Sequence, residues 1–244
     1  MVGGDGTLNE AVNGLLRDPH ERLPELAVLA SGTGQDFVRT YGIPTKVEDA
    51  ARVALEGKVR QIDAGRVEYA TWEGGRATAW FANVASAGMS GAVAQRANAT
   101  SKALGGRVSF FWALVAVFAR WQNTEVTVTL DGGEERRGAL HDVIVANGQW
   151  HGGGMWLAPE AKPDDGLFDV VVIGDVTKGD FVRTAPKLYK GKHLAHPKVE
   201  LVRSATVAID APVALPIETD GEQIGTTPAR FELVPGALRV RVPA

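Results

Sequence analysis

Two glycine-rich segments set the terms for how this chain can fold. Gly3-Gly4-Asp5-Gly6-Thr7 runs into Leu8, Val12, Leu15 and Leu16, apolar residues at helical spacing, so Thr7–Leu16 is expected to be a helix with the loop at its N-terminus. Ser31-Gly32-Thr33-Gly34-Gln35-Asp36 repeats the arrangement after Leu26–Ala30, a short and uniformly apolar run of the kind that forms a buried parallel strand. A second helix should follow and stop at Pro44, and Val47–Leu55 should form a third. Loop, helix, strand, loop, helix, helix is an α/β pattern. Only Met1 and Val2 precede the first loop, so this α/β unit is expected to be N-terminally incomplete.

The texture changes at Ile62. Strand-like stretches then alternate with Gly and Asp turns: Arg60–Tyr69, Ala77–Ala85, Glu125–Leu130, Ala139–Ala146, Phe168–Ile173, Val199–Val202, Thr206–Ile209, Arg230–Val234 and Leu238–Val242. Asp131-Gly132-Gly133 and Asp220-Gly221 are hairpin-turn chemistry. Helices are expected near Ser101–Trp121 and Thr177–Lys190. The fold class is therefore α/β plus β: an α/β domain over 1–62, then an antiparallel β-sandwich with a helical insertion over 63–244. The longest apolar run, Val108–Ala119, lies between Arg107 and Arg120 and falls well short of the roughly 20 residues that span a bilayer. No signal peptide opens the chain, so a soluble or peripheral protein is expected.

Composition removes several functions. The chain has no cysteine, hence no disulfide, thiolate nucleophile or Cys-based zinc site. A formal net charge of −3 provides no general attraction for nucleic acid. His151-Gly152-Gly153-Gly154 looks like an esterase oxyanion hole, but no G-x-S-x-G nucleophile elbow accompanies it. His193 and His196 lack a third ligand, and no metal site is expected there.

The loops invite a phosphate. Glycines let backbone N–H groups approach an anion, and a helix N-terminus carries partial positive charge. Asp5 would repel phosphate unless it faces Mg²⁺ or takes a proton. Glycines serving only as turn geometry are the competing reading of either loop alone. Two such loops at strand ends converge in space, which favours nucleotide binding. Neither is a Walker A loop, and neither completes G-x-G-x-x-G, so a Rossmann dinucleotide fold is disfavoured.

GGDGTLNEAVNGL and LASGTGQDFVRTYGIP resemble the nucleotide loops of the diacylglycerol kinase catalytic family, in its bacterial lipid kinase branch. The likeness continues through Ile62-Asp63-Ala64-Gly65, residues 81–93, residues 147–173 and residues 219–243, in the family's order. GGDGT is shared with NAD kinases and phosphofructokinases, whereas the GGGM…AP…DDGLFD block and the late Asp-Gly-Glu are more specific. The resemblance implies an ATP-dependent lipid kinase acting on diacylglycerol, with phosphatidylglycerol or a sphingoid base as other acceptors. It implies that Gly3, Gly4, Asp5, Gly6, Thr7, Leu8 and Asn9 cradle the ATP phosphates and that Thr33 contacts the nucleotide. Asp5, Asp36 and Asp63 match aspartates that organise catalytic Mg²⁺, and Glu222 matches the general base. Asp165, with the carbonyls of Lys162 and Leu167, matches a structural Mg²⁺ site. The family carries about 60 further residues ahead of GGDGT, half an average domain. Gln35 stands where it usually has Asn.

Without the resemblance, Asp63 reads as a strand-end residue, Asp164-Asp165-Gly166 as a β-turn and Glu222 as a solvated hairpin residue. The resemblance implies a lipid substrate at a membrane surface, a cytoplasmic and peripherally membrane-associated protein, and room for a homodimer. Phe110, Phe111, Leu114, Val115, Val117, Phe118 and Trp121 can serve as domain core or as a wall for acyl chains. Lys178, Arg183, Lys187, Lys190, Lys192, Lys198 and Arg203 can be a solvated face or a contact for anionic lipid. Two other functions stay open: a soluble-substrate kinase akin to NAD kinase, and a non-catalytic lipid-binding module.

Overall fold

The computed structural model describes residues 1–18, 23–99 and 106–244, with only the backbone over 106–111. Strand β1 (Val2–Gly3) lies parallel to β3 (Leu29–Ala30), with Val2 opposite Leu29. Between them come helix α1 (Asp5–Arg17) and β2 (Glu25–Leu26). The single strand expected over Leu26–Ala30 is thus two short ones. Glu25–Leu26 pairs with Arg239–Val240 at the far end of the sequence, and Leu29–Ala30 pairs with β1, so the run is divided between two neighbours. Helix α2 (Asp36–Tyr41) ends at Gly42 rather than at Pro44; Gly42 takes the left-handed conformation (φ 64°) and donates its N–H to the carbonyls of Arg39 and Val38. Helix α3 (Val47–Glu56) follows as expected.

The rest is mainly antiparallel sheet carrying three α-helices between strands among the described residues. Strands β4 (Lys58–Ala70), β5 (Arg76–Phe81) and β6 (Val84–Gly88) come first. The run Ala77–Ala85 breaks at Ala82 and Asn83, whose N–H groups go to a side-chain carboxylate, that of Asp220. Helix α4 (Met89–Ala99) was not expected, and the described part of the next helix, α5, is Gly106–Arg120. The side chains of Phe110 and Phe111, and Ser101, lie outside the described residues. Strands β7 (Thr124–Leu130) and β8 (Glu134–Leu140) form the Asp131-Gly132-Gly133 hairpin. Then come β9 (Asp142–Ala146), the small hairpin β10 (Trp150–His151) and β11 (Met155–Trp156), and β12 (Phe168–Ile173). Helix α6 (Lys178–Leu188) begins in a capping box, Thr177 with Asp180, and β13 (Val199–Ser204), β14 (Thr206–Asp210), β15 (Pro216–Thr219) and β16 (Glu222–Val242) complete the chain.

The main sheet runs β13-β12-β9-β6-β15-β16-β14-β7-β8, with β2 and β4 also on β16 and β5 on β4. The two strands read near the C-terminus are one strand of 21 residues, bent where its register with β4 shifts between Val234 and Leu238. Side chains alternate between faces along β9: Val143 and Val145 enter one core with Phe81, Phe168 and Phe231, while Ile144 and Ala146 enter another with Leu157 and Ala161. A third core gathers Leu8 and Val12 of α1, Phe37 and Val38 of α2, Ile62 of β4, and Leu238 and Val240 of β16. The architecture is an α/β unit followed by an antiparallel β-sandwich with a helical insertion. The division at residue 62 falls inside β4, which contributes to both. Among the described residues no helix is long and apolar enough to cross a membrane.

Candidate active site

Because β1 and β3 are parallel neighbours, the loops after them leave from the same end of the sheet, where ligands of α/β folds gather. They meet backbone to backbone. A methyl group on Gly32 would sit 2.4 Å from the Cα of Gly4, and one on Gly34 would sit 2.3 Å from Oδ2 of Asp5. Gly4 caps α1 with no side-chain hydrogen bond, so the N–H groups of the first turn face the loop uncovered.

Asp5 reaches across to the second loop. Its carboxylate accepts from the N–H groups of Asp36 and Phe37, both at 3.4 Å, and so caps α2. Asp36 is 5% exposed; its Oδ1 pairs with Arg39 at 2.7 Å and its Oδ2 accepts from the Gly153 N–H at 2.7 Å. Burial raises the Asp36 carboxyl above its ordinary range, and the Asp5 charge adds to this against the pull of Gly153, His151 and Arg39. Two crowded carboxylates beside the first turn of α1 are hard oxygen donors of the kind that would suit a divalent cation.

Glu222 enters from the other side. The β15–β16 hairpin turns on Asp220 (φ 49°) and Gly221 (φ 90°), both left-handed, as a two-residue turn demands. It places Oε1 of Glu222 3.2 Å from where a Cβ on Gly6 would stand, above the first turn of α1, while Oε2 accepts from Asn98 of α4 at 3.1 Å. Gly4, Asp5, Gly6, Gly32, Gly34, Asp36 and Glu222 are thus drawn together, and Thr33 is exposed on the second loop. Gly3 and Thr7 touch at the mouth of the first loop. Leu8 points into the core, and Asn9 is buried against the Trp80 carbonyl and Asp220.

Other expected site residues are engaged elsewhere. The Asp63 carboxylate accepts from the N–H groups of Gly166 (2.9 Å) and Gly236 (2.8 Å). Asp165 pairs with Arg203 and accepts from the Leu167 N–H at 3.2 Å, and Lys162 is exposed nearby. Among the described residues no three acidic or histidine side chains are arranged as a metal cage.

Three residues gain a role only from the structure. Asp220 accepts from the N–H groups of Ala82, Asn83 and Val84 and from Asn9, and burial pushes its carboxyl up to about 6. Glu218, fully buried, accepts from Ser86 Oγ at 2.8 Å and from the Gly221 N–H at 2.7 Å. His151 Nε2 stands 3.4 Å from Glu218 Oε1. Burial lowers the pKa of His151, but Glu218, Asp36, Asp220 and Asp5 outweigh it and hold the ring above its ordinary value. The Asp-Gly turn is a visible signal for Asp220, and the His151-Gly152-Gly153-Gly154 run marks His151 without revealing its partner; nothing local marks Glu218.

Residues 1–67 match the diacylglycerol kinase catalytic domain, and residues 83–242 match the YegS C-terminal NAD kinase beta sandwich-like domain. The chain is 30% identical over 244 residues to a diacylglycerol kinase of Mycobacterium tuberculosis, covering all of this chain and 76% of that protein. It is 31% identical over 244 residues to a YegS-like protein of Chromohalobacter salexigens described as a candidate lipid kinase, covering 99% of this chain and 74% of that one. A crystal structure of a candidate diacylglycerol kinase from Bacillus anthracis superposes with a TM-score of 0.73 at 26% identity, over 99% of this chain and 76% of that one.

Proposed function

The chain belongs to the diacylglycerol kinase family and is a lipid kinase, and we propose that it transfers the γ-phosphoryl group of ATP to the hydroxyl of diacylglycerol, giving phosphatidic acid and ADP. The observation that carries this reading is Glu222 standing over the glycine-rich first turn of α1, with Oε1 3.2 Å from the Cβ position of Gly6. A carboxylate there can take the acceptor's proton while the oxygen attacks phosphorus and the bond to the β-phosphate oxygen breaks. Asn98 holds the other carboxylate oxygen and orients the base. The N–H groups of the Gly3–Thr7 loop would receive phosphate oxygens, and Asp5 and Asp36 would hold Mg²⁺. Mg²⁺, when bound, neutralises phosphate charge. Asp63 contributes by pinning Gly166 and Gly236, and the nucleotide-facing role of Thr33 remains part of the proposal. The structural Mg²⁺ at Asp165, with the carbonyls of Lys162 and Leu167, requires Arg203 to yield a carboxylate oxygen.

The lipid surface is proposed to lie along α5 and α6. Helix α5 exposes Trp112 and Val115; α6 and the residues just after it expose Val182 and Tyr189 beside Arg183, Lys187 and Lys190. The two helices are joined by the Phe118–Phe181 stack at 4.6 Å. Arg203 pairs with Asp165 and Lys198 with Asp180, whereas Arg183, Lys187 and Lys190 have no acidic partner among the described residues. Each such cation is worth about 1 kcal/mol at an anionic bilayer. A cleft of about 410 Å³, lined by Val117, Trp121, Leu215 and Pro216 together with Arg96 and Arg120, has room for part of an acyl chain.

The test is phosphorylation of a lipid panel in mixed micelles with Mg·ATP. Glu222→Gln should lower turnover by about 10²- to 10⁴-fold and leave vesicle binding and the thermal midpoint unchanged. An active Glu222→Gln variant would remove Glu222 as the base. Phosphorylation of NAD with none of lipid would favour the NAD kinase-like reading, and vesicle binding with no turnover would favour a lipid-binding module.

A further inference from the structure

We infer that His151 and Glu218 form a positioning pair that ties the acceptor-side hairpin to the nucleotide-side loop, and so fixes the distance between Glu222 and Asp36. This rests on the roles proposed above for those two residues.

A fully buried carboxylate costs several kcal/mol unless it is paired and hydrogen-bonded, and apolar residues could fill the same space. Glu218 is 0% exposed, and its carboxylate has three polar partners: Ser86 Oγ at 2.8 Å, the Gly221 N–H at 2.7 Å and His151 Nε2 at 3.4 Å. Gly221 immediately precedes Glu222 in the hairpin. On the other side, His151 stands two residues before Gly153, whose N–H donates to Asp36 at 2.7 Å. A continuous path therefore runs from Asp36 through Gly153 and His151 to Glu218, Gly221 and Glu222. Its links are hydrogen bonds, one ion pair and short pieces of backbone.

The path has little slack. The β10–β11 hairpin is closed by Trp150 stacked on Trp156 at 5.1 Å and 2°, with His151 paired opposite Met155. The β15–β16 turn is gripped by Asp220, which takes three backbone N–H groups of residues 82–84. One ring joins two rigid hairpins. Each hairpin reaches one of the carboxylates between which phosphoryl transfer is proposed to occur. Among the described residues neither His151 nor Glu218 is hydrogen-bonded to the Gly3–Thr7 loop, so both act through others. A misplacement of about 1 Å at such a site costs on the order of 10²-fold in rate.

The experiment compares His151→Phe, which keeps a ring and loses the nitrogen, with Glu218→Gln and with His151→Gln, which restores a donor near Nε2. His151→Phe should lower kcat by about 30- to 100-fold with KM for ATP and for micellar diacylglycerol within about twofold. His151→Gln should recover most of that loss. The His151→Phe/Glu218→Gln double variant should be no slower than the worse single one, because both break one connection. Unchanged kcat, or a loss carried by KM, overturns the inference. Amide hydrogen exchange reads the same connection without turnover: protection of Gly153 and Gly221 should fall together, by about tenfold or more, in His151→Phe. Loss at Gly221 alone, or at neither, overturns it. If His151→Phe does not fold, Glu218→Gln carries both measurements. If the unaltered chain phosphorylates no lipid, the catalytic reading fails first, and the exchange result alone decides whether the pair joins the two hairpins.

Discussion

The α/β unit and the β-sandwich are built on opposite economies of backbone. In the former the parallel pairing among the described residues amounts to Val2–Gly3 on Leu29–Ala30 and Glu25–Leu26 on Arg239–Val240. In the latter, β4 and β16 pair from Lys58–Val242 to Ala70–Thr226. The α/β unit makes up the difference in side chains: Ile62 and Ala64 of β4, and Leu238, Val240 and Val242 of β16, are buried among Leu8, Val12 and Phe37. The two long strands are a common spine, and the candidate site lies where loops of the first region face a hairpin of the second. The separation of its acidic groups is thus set by the sandwich as much as by the nucleotide loops.

If the spine is shared, damage in the sandwich should be felt in both regions. Phe231, buried edge-on to Phe81 at 6.2 Å, should cost roughly 3–5 kcal/mol when replaced by Ala. Calorimetry should still record one transition; two would separate the regions. Asp142 sharpens the contrast through pH. Burial pushes its carboxyl from an ordinary 3.8 up to about 7, against hydrogen bonds from Ser90. A raised carboxyl stabilises the fold at pH below about 4 and loses that contribution as pH rises through 7. Asp142→Asn should therefore gain on the parent between pH 5 and pH 8, by at most about 4 kcal/mol, read from urea midpoints. Parallel pH curves for the two proteins would sink this. In the α/β unit, Gly32→Ala should cost about 1–3 kcal/mol and weaken ATP binding, since its methyl would meet the Gly4 Cα at 2.4 Å. Undiminished nucleotide affinity by calorimetric titration would contradict the loop contact. The smallest effect is a gain. Gln35 holds φ 60° ahead of α2, a conformation that Asn tolerates better, so Gln35→Asn should add up to about 1 kcal/mol. An unchanged or lower melting temperature would tell against it.

What the sequence disclosed were features whose cause is local. The glycine loops announce their own geometry, and Asp131-Gly132 and Asp220-Gly221 supply the left-handed residues their turns need. Features caused by distant partners stayed hidden. Glu134–Leu140 shows no apolar alternation because it lies at the edge of the sheet, and Leu140 alone of its residues is buried in the core. Pro235 and Gly236 look like a stop, yet β16 passes through them on a shift of register. Helix α4 includes Gly91 because the Pro216 carbonyl leaves no room for a side chain, a constraint imposed across the fold. The same holds at the site: Asp5, Asp36 and Glu222 sit in recognisable segments, while Glu218 and His151 acquire meaning from contacts far apart in the chain.

The shared strand also carries a temporal consequence. Everything β16 covers precedes it in chain order, including all the helices of the α/β unit. A ribosome synthesising this chain delivers those helices long before the residues that shield their apolar faces. The α/β half keeps its apolar faces uncovered, and open to misassociation, until β16 emerges and closes both cores.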